Sequence, residues 1–146
     1  MTIEWGGLNL QSNTVCQVLD PGDAPTTVLD SGVAFRVRVR WDVPAGLAPF
    51  LGGQFRLRCF AESVGPGQEQ QIGGTEVVPV VPGQLVYVRD MNVGAGALQG
   101  EGELDAVTGR PVSGMYRIAT VIQHVNGAPT TGSGFAADAL VQFRTP

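Results

Sequence analysis

Phe35-Arg36-Val37-Arg38-Val39-Arg40-Trp41 alternates apolar and basic side chains without a break. A β-strand sends successive side chains to opposite faces, so this stretch is a strand with an apolar side for a core and an arginine side directed away from it. Phe55-Arg56-Leu57-Arg58-Cys59 repeats the pattern, and Phe60 continues the arginine side of that second run. Five of the nine basic residues lie in these two runs, and all nine are arginine.

Outward from this pair, alternation and turn signals mark about seven to nine strands. The expected runs are Ile3 to Leu10, Thr14 to Leu19, a short piece at Thr26 to Leu29, Val33 to Val43, Gln54 to Glu62, Glu76 to Val81, Gln84 to Arg89, Met115 to Val125 and Phe135 to Arg144. Asp20-Pro21-Gly22-Asp23, Asn126-Gly127 and Pro129 to Gly134 read as turns, and Pro82-Gly83 suits the central positions of a type II turn. Val64 to Gly74 and Asp90 to Gly114 lack an apolar period and are rich in glycine, so both read as connections, the second with at most one short strand inside it. No ten-residue window has a helical period. Many short strands at close spacing predict an all-β chain: a single antiparallel β-sandwich domain over residues 1–146, of about 7–9 strands.

Ser113-Gly114-Met115-Tyr116-Arg117-Ile118 resembles the start of the penultimate strand of immunoglobulin-like sandwiches, where a tyrosine anchors a corner to the backbone. The resemblance implies that Tyr116 is the corner tyrosine and that Ile118 stands where those domains carry a core cysteine. The chain departs from that pattern in lacking a Cys…Trp…Cys spacing, and Trp41 falls one strand early. An immunoglobulin-like and a jelly-roll-like sandwich are both open, and neither implies a function.

Composition narrows the function classes. Charged residues are 15% of the 146, against roughly 25% in a typical globular protein, so the surface is apolar for a monomer. Net charge is −4 and pI about 4.8, which argues against a nucleic-acid binder. No apolar stretch approaches the roughly 20 residues of a membrane helix, and Met1-Thr2-Ile3-Glu4-Trp5 lacks a secretory signal pattern. The expectation is a chain without membrane insertion, cytoplasmic or part of a particle assembled in the cytoplasm. Cys16 and Cys59 sit in apolar alternating runs and read as buried free thiols. With His124 the single histidine and no ligand spacing, neither a metal nor another cofactor is expected. No nucleophile elbow or phosphate loop is present, so no catalytic residue is expected and the chain does not read as an enzyme.

What the sequence offers instead is surface. Arg36, Arg38, Arg40, Arg56 and Arg58 with Phe60 form either a solvated sheet face or a contact surface, since arginine and aromatics concentrate at interfaces. Glu101, Glu103 and Asp105 carry carboxylates at every second position, and in extended form they would match the arginine period. Met115 to Val125, Val77 to Val81 and Leu85 to Val88 are apolar on both sides, whereas a sandwich strand has one wet face. The expectation is a non-enzymatic structural or adaptor module that self-assembles or decorates a larger particle such as a filament, sheath, shell or capsid. Its partners would be copies of itself or another protein of the assembly, with these nine charged and aromatic residues at the interface. The alternative is a sandwich that binds carbohydrate or an anionic polymer through loops 64–74 and 90–114.

Overall fold

The computed structural model describes residues 2–5, 10–65, 67, 69–126 and 130–145, and side chains for all of these except those of residues 2, 4, 5, 10–12, 130–133, 135 and 137–139. Nine strands follow one another: β1 Thr2–Trp5, β2 Leu10–Leu19, β3 Val28–Asp30, β4 Phe35–Asp42, β5 Gln54–Ser63, β6 Gln70–Pro79, β7 Val86–Val93, β8 Met115–Val125 and β9 Thr130–Arg144. The helical content of the described residues is one 3₁₀ turn, Ala48–Phe50. The protein is an all-β sandwich.

The smaller sheet has the order β2-β4-β7 and the larger β6-β5-β8-β9-β1. Strand β2 belongs to both: Leu10 to Asn13 pair with β1, and Thr14 to Leu19 pair with β4. A strand that switches sheets makes a corner of the sandwich. All pairings are antiparallel except β3, which runs parallel to β9 with Leu29 opposite Phe143. That short pairing is the one parallel contact among the described strands of an otherwise antiparallel sandwich.

The alternating strands behave as their sequence dictates. In β4, Phe35, Val37, Val39 and Trp41 are buried, and in β5, Phe55, Leu57, Cys59 and Ala61 are buried. The two sets meet between the sheets. At one end Trp41 packs on Phe55 (5.3 Å between ring centroids) and Tyr87 (5.4 Å), and Phe55 on His124 (5.4 Å). At the other, Phe143 joins Phe35 (5.3 Å) and Tyr116 (5.5 Å). Cys16 and Cys59 are buried in this core with no disulfide between them.

Turns close as their residues require. The amide of Gln84 donates to the Val81 carbonyl (3.0 Å) across Pro82-Gly83, with Gly83 at φ +86°, the type II geometry expected. The Asp20 turn is closed by Asp23 N–H to Asp20 O at 2.9 Å. Gly127 and Pro129 of the expected β8–β9 turn lie outside the described residues. Four boundaries differ from expectation: residues 70–75 are strand, β7 runs on to Val93, the run from Ile3 to Leu10 is split between β1 and β2, and residues 130–134, expected as turn, are the start of β9 because they pair with β8.

Candidate functional site

The arginines expected to share one face stand on opposite faces of the molecule. Pleating of β4 sends Arg36, Arg38 and Arg40 to the outer side of the smaller sheet, while β5 sends Arg56, Arg58 and Phe60 to the outer side of the larger. On the smaller sheet the stripe meets carboxylates of its own chain. Asp90 of β7 is directly opposite Arg38, which grips it in two hydrogen bonds, Nε to Oδ1 at 2.7 Å and NH2 to Oδ2 at 3.0 Å. Arg36 reaches Asp90 at 3.4 Å and pairs with Asp23, held at φ +70° by the preceding turn. Arg40 lies 3.5 Å from Asp42. The hydrogen bond from Arg38, helped by the charges of Arg38 and Arg36 and opposed by burial, lowers the Asp90 carboxyl below its usual range.

Glu101, Glu103 and Asp105 take no part in that network. They lie in the connection between β7 and β8, where Leu104 bridges Pro111, Glu103 accepts from Gly100 N–H (3.2 Å) and Asp105 from Thr108 N–H (2.8 Å). A carboxylate that caps a turn satisfies local amides first. Backbone and side-chain hydrogen bonds from Thr108 hold Asp105 below the ordinary carboxylate range. Beside this turn the Tyr116 hydroxyl donates to the Gln99 carbonyl at 2.9 Å, tying the start of β8 to the long connection. Gly114 lets the chain pass close to β9 just before this strand: at φ +73°, a Cβ there would fall 2.4 Å from the Phe143 carbonyl oxygen. Gln70 Nε2 donates to the Ala97 carbonyl (2.7 Å), so the two connections expected to carry a ligand adjoin at a hollow of about 200 Å³ lined by Gln70, Ala97, Gln99, Asp105, Ala106 and Tyr116.

The outer side of the larger sheet is less consumed. Its described arginines Arg56, Arg58 and Arg117 enter none of the ion pairs among the described residues. Arg58 lies 6.0 Å from the Phe60 ring centroid and 3.4 Å from Gln123 Oε1. Between β5 and β8 a hollow of about 230 Å³ is lined by Phe60, Glu62, Glu69, Arg117, Ala119 and Val121. The outer side of β8, apolar by sequence, is half-buried here rather than covered by the long connection.

A further surface is apolar. Phe50 is 85% exposed, and Val77, Val81, Leu85, Val86 and Val88 are each exposed by more than 40%. Gly83 N–H donates to the Ala48 carbonyl (2.8 Å), which ties the Phe50 turn to the Val81–Gln84 turn, and Val86 and Val88 continue from there along the outer side of edge strand β7. Sequence reading found the two-sided apolar strands and missed Phe50, whose exposure depends on a 3₁₀ turn with no periodic signal. It also missed Asp23, Asp42 and Asp90 as the arginine partners.

His124 is buried at the end of β8, with Nε2–H donating to the Gly52 carbonyl at 2.7 Å, so it closes the sandwich end. Burial pushes the Cys59 thiol up to about 12, which keeps it protonated. Among the described residues, no three His, Cys, Asp or Glu side chains gather where a metal ion would be held, and no helix is long and apolar enough to cross a membrane. In comparison with known proteins, the chain matches no family model and no curated protein.

Proposed function

We propose that this protein is a non-enzymatic structural or adaptor module that self-assembles or decorates a larger particle. The observation that carries the reading is the exposed apolar strip from Phe50 through Val81 and Leu85 to Val86 and Val88. Monomers seldom expose large contiguous apolar patches, and such patches mark surfaces that another protein covers. The partner is a copy of the chain or another protein of the same assembly. Replacing Val86 and Val88 by aspartate tests this, because both side chains point outward and their loss leaves the core intact. The variant is expected to melt like the parent and to form smaller species at equal concentration; identical size distributions would argue against the strip as a contact.

The sandwich itself we infer to be immunoglobulin-like. The smaller sheet β2-β4-β7 and the larger β6-β5-β8-β9 have the strand order A-B-E and C′-C-F-G of such domains. The Tyr116 hydrogen bond to Gln99, at the start of the penultimate strand, supports the same reading.

A second reading is favoured by one observation, the hollow where Gln70, Gln99, Asp105 and Tyr116 converge between the two long connections. Amide, carboxylate and phenol groups suit a polar ligand such as a carbohydrate. Titration with oligosaccharides, followed by chemical shifts of the 97–106 segment, separates the two readings.

A further inference from the structure

We propose that the outer face of the larger sheet is an isologous dimer interface, in which Arg56 and Arg58 of each copy enter the hollow of the other. This rests on the self-assembly reading above and names the surface and the partner, a second copy of this chain.

The face is self-complementary along β5. Arg56 and Arg58 occupy one half, and Glu62, with Glu69 beside it, occupies the other. Phe60, Ala119 and Val121 lie between, half-buried, with Phe60 opposite Ala119 and Arg58 opposite Val121 in the strand register. A two-fold axis lying between two such faces, at right angles to the strands, sets β5 over β5 of the second copy and reverses its direction. Centred between Arg58 and Phe60, that axis puts Arg56 over Glu62 and Arg58 over Phe60 of the second copy. The same operation puts Val121 over Ala119.

Chemistry at each contact is favourable. The hollow presents two carboxylates, Glu62 and Glu69, against one guanidinium, Arg117, so it attracts an incoming cation. Phe60 lines it, an aromatic ring on which a guanidinium stacks. Arg56 and Arg117 make no ion pair among the described residues, and Arg58 makes a long hydrogen bond to Gln123 and a 6.0 Å contact with the Phe60 ring of its own chain, which it would exchange for the same ring of the second copy. Size is adequate too. Four strands of about ten residues span roughly 20 by 33 Å, about 660 Å² in projection, somewhat below the roughly 800 Å² that each partner buries in a stable interface. On the smaller sheet, by contrast, Arg36 and Arg38 are already committed to Asp23 and Asp90.

The test is a charge reversal and its complement, read as the dimer dissociation constant by sedimentation equilibrium on the full chain. Arg56→Glu sets like charges face to face, and so does Glu62→Arg; each is expected to weaken dimerisation by about a hundredfold. The double variant Arg56→Glu with Glu62→Arg restores the opposite-charge contact and is expected to return within about threefold of the parent. Arg56→Gln, which removes charge without reversing it, provides the same reading at smaller size if a reversal disturbs the fold by circular dichroism. Association of the parent that ignores both reversals would overturn this face while leaving self-assembly standing. Weakening by both singles without recovery in the double would overturn the register. A parent of 15.3 kDa at every concentration would remove both this interface and the self-assembly reading.

Discussion

Replacing Phe55 by alanine should destabilise the protein more than any surface change. The ring is fully buried and stands where the two sheets meet, 5.3 Å from Trp41, 5.0 Å from Tyr87 and 5.4 Å from His124. Emptying a buried phenylalanine site costs about 3–5 kcal/mol in lost transfer energy and residual cavity. Each edge-to-face pair adds roughly 0.5–1.5 kcal/mol beyond burial, and close packing limits relaxation around the gap, so about 5 kcal/mol is expected. For a chain of this length each kcal/mol moves the melting temperature by about 2–4 °C, which gives a fall of roughly 10–20 °C. Phe55→Leu retains most of the volume and should cost about 1–2 kcal/mol, a safer variant if alanine abolishes folding. Urea unfolding followed by circular dichroism reads both. A loss below about 1 kcal/mol in Phe55→Ala is the behaviour of a surface site and would refute the packing of the sheets around this ring.

Three further outcomes follow from particular contacts. Tyr116→Phe deletes the donor to Gln99 and should cost about 1–3 kcal/mol, with faster amide exchange in residues 94–106; unchanged exchange there would mean that the hydroxyl does not anchor the connection. Cys59, pushed up to about 12 from 9.0 by burial, favours folding below pH 9 and withdraws that support as pH rises toward 12, about 4 kcal/mol in all. Cys59→Ala should flatten stability over that alkaline range, and an identical alkaline slope would contradict it. Asp90, depressed by Arg38, contributes stability above its usual 3.8 that disappears as pH falls through the lower folded value, so Asp90→Asn should remove part of the acid sensitivity measured between pH 5 and 2.

Strands with strict alternation were legible because burial of one face leaves a period of two in the residues, as in Phe35 to Trp41 and Gln54 to Glu62. Strand β6 was only half legible. Its first part, Gln70 to Thr75, has Ile72 as its single buried side chain, and it is a strand because it pairs with β5 across the irregularity between Leu57 and Cys59. Residues 90–93 looked like loop because Asp90 and Asn92 are polar, yet these face outward while Met91 and Val93 fill the core. Alternation tells which side of a strand is wet and is silent on which sheet the strand joins. For that reason Arg36 to Arg40 and Arg56 to Arg58 read as one surface, and the pairing of Arg38 with Asp90, 52 residues away, had no local signal.

Self-association is decided by mass in solution. Light scattering of the unmodified chain from about 1 to 100 µM should give a weight-average mass that rises above 15.3 kDa with concentration, reaching at least twice that value. A mass that stays at 15.3 kDa across the whole range would contradict it, and the exposed valines of β7 and the arginines of β5 would then be solvated surface.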